Sequence, residues 1–139
     1  MENKINMDSV LVGTDPEAFV RDKYTGEIVS AIGHIPGDKD RPHPISSQGH
    51  AVQTDNVMVE FCVPATKNPI ELFGSITYCL NVINTMLPNN LETIVQASAI
   101  LDKRHLKSKQ AKTFGCDPDF NVYTLAPNVP PSSKGFLRS

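Results

Sequence analysis

Val57-Met58-Val59-Glu60-Phe61-Cys62-Val63 is the stretch on which the fold turns. It is apolar at every position but one and rich in β-branched and aromatic residues, which predicts a strand rather than a helix. The near-continuous apolar run predicts cover on both faces of that strand. Glu60 is the exception. A carboxylate inside such a run must be desolvated, paired or metal-bound, because a bare buried carboxylate is costly; otherwise it belongs to an edge strand and faces water. Asp55-Asn56, just ahead, either adds polar contacts at the same strand mouth or forms a hairpin turn.

Upstream, Val10-Leu11-Val12 runs into Gly13-Thr14-Asp15-Pro16-Glu17. On extended backbone, carboxylates at i and i+2 point to one face. Two such charges repel unless a cation lies between them, and a hard, oxygen-seeking ion such as Mg²⁺ suits them. Asp15, Glu17 and Glu60 are therefore the candidate metal ligands. The lettering returns as Gly115-Cys116-Asp117-Pro118-Asp119, too far away and too isolated to be a structural repeat. The bland alternative for both copies is an Asp-Pro turn.

Around these segments the pattern is that of an α+β chain. Residues 1–8 read as a loose segment, and residues 9–139 as one domain with a real core. Residues 10–14 and 18–21 read as extended, residues 22–26 as a turn, and residues 27–32 as the partner strand. Residues 33–48 carry Gly33, Pro36, Gly37, Pro42 and Pro44 with no period, which predicts a long loop of the kind that often serves function. Asn68-Pro69-Ile70-Glu71 is a helix start with a cap, a first-position proline and an acid three residues after the cap. Leu72, Phe73, Ile76, Cys79, Leu80, Ile83 and Leu87 follow at helical spacing, and Pro88-Asn89-Asn90 ends the run. Residues 92–98 and 119–125 read as strands, and residues 102–112 as a short polar helix.

Composition narrows the function classes. Forty per cent hydrophobic and 20% charged residues describe a globular chain, and a net charge of −2 argues against a nucleic-acid partner. No stretch is apolar enough to cross a membrane, and the N-terminus lacks signal-peptide architecture. Cys62, Cys79 and Cys116 form no C-x-x-C pair, which suits reduced thiols in a cytosol; Cys62 and Cys79 read as small core residues. His34, His43, His50 and His105 show no zinc spacing and read as solvated or loop-anchoring. The basic run over residues 103–112 reads as a solvated helix face. Lys39, in Ile35-Pro36-Gly37-Asp38-Lys39, can reach a nucleotide phosphate as a point charge, although no P-loop is present.

Five segments in order carry a resemblance: residues 13–19 (GTDPEAF), 26–33 (GEIVSAIG), 35–39 (IPGDK), 51–61 (AVQTDNVMVEF) and 115–121 (GCDPDFN). Together they resemble the phage-encoded COOH–NH2 ligases, amidoligases related to glutamine synthetase and glutamate–cysteine ligase. The resemblance runs from about Leu11 to Arg138. It implies a mostly antiparallel sheet with one long helix packed on it, a glutamine-synthetase-like half domain. It implies Mg²⁺ and ATP as cofactors, and joining of a carboxylate to an amine through an acyl phosphate. Asp15 and Glu17 then match the early acids of the family, Glu60 the acid of its later strand, and Asp117 and Asp119 the second acidic segment. Lys39 and Arg138 are implied as nucleotide contacts. Members continue past the Leu-Arg-[Ser/Thr] segment matched by Leu137-Arg138-Ser139, so the chain is expected to correspond to the N-terminal portion of such a ligase. Its open sheet edge would then be covered by a missing half or by self-association. The rival expectation is a non-catalytic phage binding or assembly protein that retains the scaffold. A weaker third is an inhibitor using the basic run.

Overall fold

The computed structural model describes residues 7–112. Cys116, Asp117, Asp119, the strand expected over residues 119–125 and Arg138 lie outside them. Within the expected loose N-terminal segment, Met7–Ser9 forms a single 3-10 turn.

The Val57 segment forms the longest strand, Met58–Thr66, and the rest is arranged around it. Counting in chain order, the strands are β1 (Val12–Thr14), β2 (Glu17–Asp22), β3 (Ile28–Val29), β4 (His43–Pro44), β5 (Ala51–Asp55), β6 (Met58–Thr66) and β7 (Leu91–Ile94). Every pairing among them is antiparallel. The long helix α1 (Pro69–Met86) packs on β5, β6 and β7. The architecture is α+β, as expected.

One expectation about β6 fails. Its burial alternates, with Val59, Phe61 and Val63 buried and Glu60, Cys62 and Pro64 only half-buried. Among the described residues one long helix covers one face, and Val59, Phe61 and Val63 join Cys79, Ile83 and Leu87 in the core. The apolar residues of the other face are therefore not evidence of a second covering layer.

On one side β6 folds back from β5 through a tight turn, where Asn56 takes φ 55°. That turn sets Asp55 opposite Met58 and Gln53 opposite Glu60. On the other side Thr14 faces Val63 and Glu17 faces Glu60. After a register shift between Val12 and Thr14, the two pairings share one register from Thr14 onward, so Thr14 and β2 behave as one strand interrupted at Asp15-Pro16. Pro16 lacks an N–H for the ladder, but its carbonyl accepts from Phe61 N at 3.0 Å. β2 then leaves β6 to pair with β3 and β7.

The hairpin turn after β2 is held by Asp22, whose Oδ1 accepts from Tyr24 N at 2.8 Å and Thr25 N at 2.9 Å. Asn90 Nδ2 donates to the other oxygen at 2.9 Å. These bonds, that from Thr25 first, hold the Asp22 carboxyl below its ordinary range. β3 is shorter than the expected residues 27–32, because Ala31 N turns away to bond Val57 O at 2.8 Å.

The long Gly/Pro segment is more ordered than its composition suggests. Asp38 and Arg41 form a bridge, β4 pairs with β5, and Thr54 N bonds Gly37 O at 3.2 Å. Gly37 has φ 84°, and a Cβ there would lie 2.6 Å from Val52 O, so only glycine lets the loop approach β5.

The helix start is capped as expected at Asn68, whose Oδ1 accepts from Ile70 N at 2.9 Å. The expected reciprocal bond from Glu71 does not form. Thr66, at the end of β6, takes both partners: its hydroxyl donates to Glu71 Oε2 at 2.6 Å and accepts from Asn68 N at 3.0 Å. Phe73 is 70% exposed, outside the stripe centred on Cys79 and Ile83. After β7, which ends at Ile94 rather than at 98, residues 102–112 form two short turns, Lys103–Leu106 and α2 (Lys109–Lys112), rather than one helix. Arg104 and His105 both reach the Glu27 carboxylate, so part of the basic run anchors this segment to the β2–β3 hairpin. No helix among the described residues is long and apolar enough to cross a membrane.

Candidate metal centre

The sheet face opposite α1 gathers the acids. Strand alternation places Glu17, Glu60 and Gln53 side by side on one rung across β2, β6 and β5. Asp55 stands one rung along. Carboxylate oxygens of Glu17, Asp55 and Glu60 all lie within 4.8 Å of one another. Like charges directly opposed in an antiparallel pair destabilise it, and no lysine, arginine or histidine pairs with these three among the described residues.

Glu60 bears the consequence. Partial burial raises its pKa most, and the charges of Asp55, Glu17 and Asp15 raise it further; the bond from Gln53 Nε2, at 2.8 Å, opposes them. Gln53 itself is 5% exposed, and its Oε1 is the buried side-chain oxygen left without a partner among the described residues. An orphaned buried carbonyl on the amide that already holds Glu60 is a neutral oxygen donor awaiting a cation or water.

Asp15 lies outside the set of three. The shared register carries it one rung on, opposite Cys62, whose thiol feels its charge. Burial and then the Asp15 charge push the Cys62 thiol up, so it stays protonated and offers no thiolate. Cys62 is thus half-buried beside the acids, whereas Cys79 is a core residue with its thiol pushed up to about 11 by burial. The available donor set is all oxygen, which fits a hard ion such as Mg²⁺ and not a thiophilic one.

Lys39 is exposed in the loop between Asp38 and Arg41 and pairs with no carboxylate among the described residues. The histidines stay clear of the acids: His34 and His43 are exposed, His105 meets Glu27, and His50 is buried between Ser46 and Ser75.

Sequence reasoning grouped Asp15, Glu17 and Glu60 as ligands; the structure brings Glu17 and Glu60 together and leaves Asp15 one rung away. That reasoning omitted Gln53 and left Asp55 undecided between a turn and the strand mouth. Asp55 does both. The signal was Asp55-Asn56: a two-residue hairpin loop at Asn56-Val57 dictates Asp55 opposite Met58, and hence Gln53 opposite Glu60.

No protein-family model, no curated protein and no solved structure matches this chain.

Proposed function

We propose that this chain carries the divalent-cation site of an ATP-dependent carboxylate–amine ligase. The observation that carries the reading is the opposed Glu17–Glu60 pair with Asp55, three carboxylates within 4.8 Å on an open sheet face. Such a cluster is unfavourable without a cation, and oxygen ligands on rigid strands suit Mg²⁺. Glu17, Asp55 and Glu60 would hold the ion, Gln53 would fix the Glu60 carboxylate, and Asp15 would add negative potential one rung away. Bound Mg²⁺–ATP supplies charge neutralisation and an activated phosphoryl group for acyl-phosphate formation. The ordered motifs that resemble amidoligases support the nucleotide part of this reading, with Lys39 and Arg138 as the phosphate contacts.

A second reading is that the scaffold serves binding or assembly. It is favoured by the edge at β1, which has a ladder partner on one side only among the described residues, with Val12 and the preceding Leu11 49% and 59% exposed.

Calorimetric titration separates the two. Magnesium-dependent ATP binding that is lost in Glu60→Gln supports the ligase reading. Magnesium binding without ATP binding reduces the proposal to a cation-stabilised scaffold, and absence of both removes it.

A further inference from the structure

A second site lies on the helix side of the sheet, away from the acids. A cleft of about 820 Å³ opens between the first half of α1 and the loop that precedes β5, within the size range of small-ligand sites. We infer that this cleft binds a neutral polyhydroxyl ligand of the sugar class, through Ser75, Glu71 and the ring of Tyr78. The inference is independent of the metal centre, and its test involves no divalent ion.

One buried histidine organises the cleft wall. His50 is 6% exposed, with Nδ1 2.7 Å from Ser46 Oγ and Nε2 3.0 Å from Ser75 Oγ. Ser46 Oγ already accepts from Gln48 N at 3.1 Å and His50 N at 3.3 Å. With both lone pairs engaged, its proton must go to Nδ1. A neutral imidazole that accepts at Nδ1 donates at Nε2, so Ser75 Oγ is an acceptor. Its own proton meets no acceptor among the described residues and is left for the cleft. A chain of bonds that all run one way polarises its last donor.

The other walls ask for a matching partner. Glu71 has one carboxylate oxygen held by Thr66 and no cation paired with it among the described residues. Tyr78 donates to Ile45 O at 2.9 Å, which leaves its oxygen as an acceptor, and its ring stands edge-to-face with His50 at 5.1 Å. The ring is fixed at both ends, a pre-set apolar plate. The cleft thus presents a donor, two acceptors and an apolar face, and no lysine or arginine among the described residues lines it. Ring hydroxyls both donate and accept, and a sugar C–H face stacks on an aromatic plate; an anion would meet Glu71 unfavourably.

Gly74 supplies the independent observation. It sits in the middle of the helix wall with Glu71, Ser75 and Tyr78 on one stripe. A Cβ there meets nothing within 4 Å. Glycine at such a position weakens a helix relative to alanine, and no neighbour requires it, so the wall of the cleft is open at this position.

The test is NMR titration of the whole chain with glucose, N-acetylglucosamine, maltose and cellobiose, with glucosamine and glucuronate as charged counterparts. Saturable shifts at the Gly74 and Ser75 amides with a neutral sugar are expected. Ser75→Ala should weaken that binding about fivefold, the loss of one hydrogen bond. Gly74→Leu fills the cleft with a better helix former, and should abolish binding while the melting temperature holds or rises. No saturable shift with any neutral sugar overturns the inference, as does preference for glucosamine or glucuronate. Binding that survives Gly74→Leu places the ligand elsewhere and overturns it too.

Discussion

The two faces of β6 carry adjacent residues to opposite fates. Val59, Phe61 and Val63 meet α1 and are buried, at 0%, 1% and 7% exposure. Glu60 and Cys62, between them, face a sheet surface shared with Glu17, Asp55, Gln53 and Asp15. The first face is stabilised by removing apolar area from water. The second is held in place by that packing while its own charges oppose folding. A rigid strand that is secured on one side can present mutually repelling carboxylates on the other.

The largest break in this comparison is on the helix face. Phe61→Ala should cost about 3–5 kcal/mol, as for other buried aromatic truncations. Cys62→Ala, one residue on and facing the other way, should cost under about 1 kcal/mol; chemical denaturation of both variants measures the contrast. Equal losses would mean that the acidic face is packed as tightly as the core.

The next effect belongs to the cation. Magnesium at about one hundred times its dissociation constant should stabilise the chain by about 2.7 kcal/mol, read as a rise in melting temperature. The rise should vanish in Glu60→Gln and survive in Lys39→Ala.

A smaller effect has the opposite sign. Without divalent ions at neutral pH, Glu60→Gln should raise stability by about 0.5–1 kcal/mol, because it removes like-charge repulsion across the ladder and keeps an acceptor for Gln53. The pH dependence follows from the same residue. Glu60 has a raised pKa in the folded chain, so the folded state holds its proton more tightly than the unfolded state. Its favourable contribution is complete below the unfolded pKa and is lost as pH rises through the folded pKa. Asp22 is lowered and behaves in reverse: its contribution is present above the unfolded pKa and is lost as pH falls through the folded one. Urea melts of wild type and Glu60→Gln between pH 4 and pH 7, in a chelator, should converge at the acid end.

An effect of similar size concerns the helix that covers the core face. Asn68→Ala should cost about 1 kcal/mol through loss of the cap. Glu71→Ala should cost less than a capping-box acid would, because Glu71 bonds Thr66 rather than the cap backbone.

Much of this was legible in the residues. The helix from Pro69, its cap, the β6 strand and the hairpin turn at Asp22 follow from local chemistry: a proline that suits the first helical turn, a β-branched run, an Asx turn before Gly26. β5 was not legible, because Gln53 and Thr54 look like loop residues until a neighbouring strand satisfies their backbone. Phe73 was misplaced for a related reason: periodicity gives a stripe, but where the sheet lies beneath the stripe decides which of its borders is buried.

For the site, the sequence alone determined that acids would stand on strands and that Asp15 and Glu17 would share a face, since alternation is a property of extended backbone. Which acids meet was left to long-range pairing. The Asn56 turn and the register of β2 on β6 bring Glu17, Glu60 and Asp55 together and leave Asp15 with Cys62. Register is set by long-range pairing and by the packing of α1 on one face, and neither is written in the spacing of any single motif.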